Sequence, residues 1–71
     1  MSQMRRLASA RDFAEVVENG RNVRVFKDDL LIEDRAVIVR FDDTLVVTQS
    51  SVSDIAYHDR QECEFYEIRR R

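Results

Sequence analysis

His58-Asp59, with Cys63 five residues on, is the one cluster in this chain with a catalytic flavour. An Asp beside a His could hold the imidazole tautomer, and a Cys near a base could act as a nucleophile. Neighbouring side chains of an extended chain point to opposite sides, however, and Cys63 falls on the inward phase of an apolar strand pattern. A thiol placed there behaves as a small hydrophobe. One His and one Cys would leave a zinc ion half coordinated and exclude a disulfide within one chain. A single glycine, Gly20, cannot build a dinucleotide fingerprint, a phosphate loop or a nucleophile elbow. The residues point away from an enzyme and from any bound metal or cofactor.

Charge is the other source of chemistry. The net charge of −2 hides an asymmetry. Residues 12–68 hold 14 acids against 6 basic residues, whereas Arg5, Arg6 and Arg11 stand at one end and Arg69, Arg70 and Arg71 at the other. Asp28, Asp29, Asp42 and Asp43 occupy two turns and could dock a basic patch on a protein partner, mainly by speeding encounter and excluding wrong partners. Arg5, Arg6, Arg69, Arg70 and Arg71 offer the competing reading, a patch that contacts RNA or DNA phosphates if the two ends meet. Tyr57, Phe65 and Tyr66 would then supply stacking. The acidic body repels nucleic acid, which places that reading second. All but Lys27 of the 12 basic residues are Arg. A GC-rich genome explains this bias, and so does a need for bidentate contacts to anions.

The elements that must position these residues centre on Ala36–Gln49, two β-branched runs joined by Asp42-Asp43, which reads as a β-hairpin. Both faces of this hairpin are apolar, with Val37, Val39 and Phe41 opposing Ala36 and Ile38. Such strands are covered on both sides. One helix covers one side; the other needs a curled sheet or a second copy of the chain. The helix is read after Ser9, whose spacing to Asp12 forms a capping box, with Leu7, Ala10, Phe13, Val16 and Val17 as its stripe and Asn19-Gly20 as its stop.

Residues 22–26 read as a strand, Leu30-Leu31-Ile32 as a brief second strand halted by Glu33-Asp34-Arg35, and residues 62–68 as the last strand. The apolar phase of that last strand changes at Phe65-Tyr66, which predicts a β-bulge there. Ser50–Gln61 reads as a short helix or 3₁₀ turn, with a loop as the alternative. Residues 1–8 carry no cap or strand pattern and are expected to fray, residues 9–68 form one domain, and residues 69–71 are a basic tail.

At 71 residues without a disulfide or metal, oligomerisation or partner binding is the common remedy for a small core. The expected fold is α+β, an N-terminal helix packed on a four- to five-stranded, mostly antiparallel meander, either open or curled into a partial SH3/Sm-like barrel. Helix first, then short strands with one interruption before the last, resembles the element order of Sm-like barrels. The glycine and asparagine positions of that RNA-binding family do not stand in this chain. No apolar run approaches the ~18 residues of a membrane span, no leader pattern is present, and the lone Cys suits a reducing compartment, so a cytoplasmic protein is expected. The function expected is a non-enzymatic protein-binding or regulatory module, an adaptor or inhibitor of bacterial or phage type, with a homodimer through the spare sheet face.

Overall fold

The computed structural model describes residues 2–70. It shows one helix and one six-stranded antiparallel sheet. In chain order the elements are β1 (Ser2–Arg6), α1 (Ala10–Glu18), β2 (Asn22–Lys27), β3 (Leu30–Phe41), β4 (Leu45–Gln49), β5 (Ile55–Asp59) and β6 (Cys63–Arg70). The strands lie in the order β1-β6-β2-β3-β4-β5. β2 to β5 form the expected meander, but β6 does not extend it. It returns to pair with β2, and β1 adds to its far side.

α1 forms where the capping pattern places it. Ser9 Oγ accepts from the Asp12 amide at 3.2 Å, and the Asp12 carboxylate accepts from the Ser9 amide at 3.2 Å and the Ala8 amide at 2.9 Å. These backbone hydrogen bonds hold the Asp12 carboxyl below its ordinary pKa. At the other end Gly20 takes φ 60°, the Gly20 amide donates to Val17 O and the Arg21 amide to Val16 O. That paired arrangement ends the helix without a side-chain clash. Phe13 and Val16 are buried, Val17 is partly buried, and Ala10 is exposed.

The sheet has to curl. In a flat sheet β5 and β6 would lie four strand spacings apart, about 19 Å. Only residues 60–62 join Asp59 to Cys63, a span of at most about 14 Å when extended. Curling brings the inner faces of β5 and β6 together, with the His58 and Phe65 rings 6.0 Å apart. Phe13 from α1 closes the enclosed space, 5.5 Å from Phe65 and 5.4 Å from Phe41. Val23, Val25, Ile38, Val46, Leu7 and Cys63 fill the rest of this core.

Several local expectations are corrected. Residues 2–6 are a strand, because β6 offers a free edge on which a segment without apolar alternation can pair; Met4 lies opposite Ile68 and Arg5 opposite Glu67. β3 runs unbroken through Glu33-Asp34-Arg35, since those side chains stand at exposed or half-buried places. The register shift between Ile38 and Arg40 changes the phase of β3. Ala36 and Ile38 face inward before it and Phe41 joins the core after it, which explains how apolar residues of both phases of β3 reach the interior, while Val39 stays 43% exposed. β6 has no bulge at Phe65-Tyr66: its register with β2 is regular from Cys63 to Glu67. Glu67 takes the inward place, and Tyr66 and Ile68 face out. Residues 50–54 are a bend rather than a helical turn, followed by the edge strand β5. No helix among the described residues is long and apolar enough to cross a membrane.

Phe65→Ala is expected to lower stability by about 3–5 kcal/mol, as loss of a buried ring does. Val52→Ala, at a side chain 95% exposed, should shift it by less than about 0.5 kcal/mol. Urea unfolding followed by circular dichroism measures both.

Candidate binding surfaces

The His58-Asp59-Cys63 group is divided by the fold. His58 faces the core from β5, and its Nε2 lies 3.0 Å from Thr48 Oγ1. Thr48, not Asp59 or Cys63, is thus its hydrogen-bond partner. Burial lowers the imidazole pKa below its ordinary 6.5, against a smaller opposing influence of Glu33. Asp59 instead caps the next turn, accepting from the Gln61 and Glu62 amides. Cys63 is buried and burial raises its thiol pKa, which keeps it a protonated apolar filler.

Of the acidic turns, Asp28-Asp29 joins β2 to β3 as a two-residue hairpin loop with both residues at positive φ, 52° and 66°. Asp tolerates this region better than most residues, so the pair has a conformational role. Asp42 has one as well. Its Oδ1 accepts from the Thr44 amide at 2.9 Å, the Leu45 amide at 2.8 Å and the Thr44 hydroxyl at 3.2 Å, and the two amides depress its pKa. Asp43 is exposed. The two turns end opposite ends of β3, yet the curl sets them on either side of residues 60–62. The Arg60 amide donates to Thr44 O on one side, and Glu62 pairs with Lys27, next to Asp28, at 3.2 Å on the other.

The arginine ends do meet. β1 and β6 pair antiparallel, with Ser2 opposite Arg70, Gln3 opposite Arg69 and Arg6 opposite Tyr66. Arg71 lies outside the described residues. Arg5 and Arg69 point to the face that Glu67 occupies, with their Nε atoms 3.0 and 3.1 Å from Glu67 Oε1. Arg21 Nε is 3.7 Å from Oε2. Arg5 also reaches Asp12 and Glu15, each at 3.3 Å. Burial alone would raise the Glu67 pKa, but hydrogen bonds from Arg69 and Arg5, and their charges, outweigh it and lower it. Glu67 and Arg21 escaped the sequence reading. A strict two-residue period from Cys63 through Phe65 marks Glu67 as inward, and an inward carboxylate demands cations.

The outer face of β1, β6, β2 and β3 holds a second feature that pattern alone did not separate from the core. Cross-strand register brings Met4 beside Ile68, Tyr66 beside Arg24 and Phe26 beside Leu31. Phe26 and Tyr66 meet edge to face, with centroids 5.6 Å apart and planes at 88°. Met4, Phe26, Asp29, Glu64 and Tyr66 line a shallow notch of about 250 Å³. Met4 and Leu31 are 46% and 50% exposed, and α1 lies on the opposite, inner side. No family model, no curated protein and no solved structure matches this chain.

Two stability measurements test these assignments. The folded chain binds a proton at His58 less readily than the unfolded chain does. Its contribution is therefore complete above the ordinary pKa of 6.5 and is lost as pH falls towards the lower folded value. The lowered carboxyls of Asp12, Asp42 and Glu67 act in the same direction only below their ordinary 3.8 to 4.5. The urea midpoint should accordingly fall between about pH 8 and about pH 5.5, and His58→Gln should flatten that slope. Glu67→Gln removes the charge that three guanidinium groups share. It should cost about 1.5–3 kcal/mol, towards the lower end because water can take up the half-exposed Arg21 and Arg69.

Proposed function

We propose that this chain is a non-enzymatic, cytoplasmic protein-binding module, an adaptor or inhibitor, that docks a partner with a basic surface. Its curled sheet acts as a partial barrel, a rigid frame with a filled interior and one working exterior. The observation that carries the reading is the uncovered outer face, where Met4, Phe26, Leu31 and Tyr66 lie in cross-strand register beside the carboxylates of Asp29 and Glu64. Apolar side chains gathered on one face and bordered by charge favour association with a protein surface. Asp28, Asp29 and Asp43 supply the long-range attraction; Asp42 contributes its charge while its Oδ1 holds the turn. A second copy of the chain is the other occupant that this face accepts, which gives the homodimer.

A second reading has its own support. The pairing of β1 with β6 brings Arg5 and Arg69 together on the face of Glu67, with Arg6 next to Arg5 on β1 and turned to the other face, and guanidinium groups at such an edge suit nucleic-acid phosphates. Arg5 favours the first reading, because its guanidinium is already engaged by Glu67, Asp12 and Glu15.

Affinity capture from lysate, split into nuclease-treated and untreated halves, separates the two. The module reading expects a stoichiometric protein that survives nuclease, is lost with Asp29→Lys/Asp43→Lys and is kept by Arg69→Ala/Arg70→Ala/Arg71→Ala. Capture that vanishes with nuclease and with the arginine variant would replace it by the nucleic-acid reading.

A further inference from the structure

We propose that the notch between Phe26 and Tyr66 receives one cationic side chain, an Arg or Lys projecting from the partner protein. This rests on the module reading and names the group that the partner presents. The two rings are perpendicular, so they form a corner with ring faces turned to different sides. The face of an aromatic ring is the negative end of its quadrupole and attracts a cation within about 6 Å. Met4 completes an apolar wall against which an aliphatic stem can lie.

The rim is acidic. Glu64 lies opposite Phe26 across the β6–β2 pairing, and its Oε1 accepts from the Tyr66 hydroxyl at 3.3 Å, which holds the carboxylate beside the ring. Asp29 reaches the same notch from the hairpin loop, where its φ of 66° fixes the backbone. Among the described residues neither carboxylate has a basic side chain within 4 Å.

Among the described residues, the nearby cations Arg24, Lys27 and Arg6 are engaged elsewhere or stand apart. Arg24, the cross-strand neighbour of Tyr66, turns to Asp34, with Nε 3.2 Å from Oδ1 and 3.2 Å from the carbonyl oxygen, and its Nη1 lies 3.7 Å from Met4 Sδ. Lys27 is bound to Glu62. Arg6, opposite Tyr66, does not line the notch. Two acidic residues, an edge-to-face aromatic pair and about 250 Å³ of space therefore meet at one notch, which a single guanidinium or ammonium group can enter, offsetting one of the two negative charges.

Amide NMR shifts of the intact chain, titrated with a pentapeptide of four glycines around one Arg, one Lys or one norleucine, test this. The expected result is saturable shifts centred on Phe26, Asp29, Glu64 and Tyr66 with the Arg or Lys peptide, weakened by salt and absent with norleucine. Glu64→Gln should weaken the Arg peptide by about two- to fivefold, and Tyr66→Leu should do so at least as strongly. Retained spectral dispersion in both variants shows that they are folded, and Phe26→Leu replaces either one that is not. Equal shifts with norleucine, shifts centred on Asp42-Asp43, or no saturable shift would each overturn the assignment. Lysate capture that persists in Glu64→Gln and Tyr66→Leu would sink the notch and leave the module reading standing, whereas a wild-type chain that captures no protein would sink the module reading itself.

Discussion

The curl of the sheet around its inner face is the constraint on which the rest of this small domain depends. β2 stands between β6 and β3, and Val23 and Val25 on its inner side are fully buried. A flat sheet of this size would leave those side chains half in water, with one short helix to cover them. The three-residue link from β5 to β6 removes that option. It draws His58 over Phe65, while the irregular registers of β3 with β2 and β4 supply the extra twist that curling requires. A chain with a single cysteine thereby encloses a core from both sides with a helix of only nine residues.

Most of the charges near this frame have structural work. Asp12 holds the start of α1, Asp42 shapes the β3–β4 turn, Asp59 caps the β5–β6 turn, and Glu67 gathers Arg5, Arg21 and Arg69. A buried carboxylate is a poor source of net stability by itself, yet it strongly penalises any register that strips it of its cations. Glu67 thus ties the β1–β6 pairing to one alignment. Asp28, Asp29, Asp43 and Glu64 are exposed or half-buried acidic residues that stand near the outer face or in the turns beside it.

How much of this was legible in the sequence follows from the range of the forces involved. The capping box at Ser9-Asp12, the Asn19-Gly20 stop and the Ala36–Gln49 hairpin are local, and each stands where its residues point. β1 was not legible, since Ser2–Arg6 has no apolar alternation and owes its extended state to an edge sixty residues away in the chain. The unbroken β3 and the bulge-free β6 failed for a related reason. Glu33-Asp34-Arg35 looks like a stop until its exposure is known, and Tyr66 looks like a core residue until Glu67 is seen to take the inward place. The acidic turns were readable as positions but not as jobs, because nothing in Asp42-Asp43 distinguishes an oxygen that caps a turn from one free to meet a partner. The aromatic notch arises from cross-strand register alone.

The sheet curls until the inner faces of β5 and β6 meet beneath α1. Nuclear Overhauser effects among the aromatic side chains test it most directly. Cross-peaks are expected between the His58 and Phe65 rings, and from Phe13 to both Phe65 and Phe41. A folded chain that shows the β2–β3 and β2–β6 backbone contacts but no His58–Phe65 cross-peak would have an open sheet, and would contradict it.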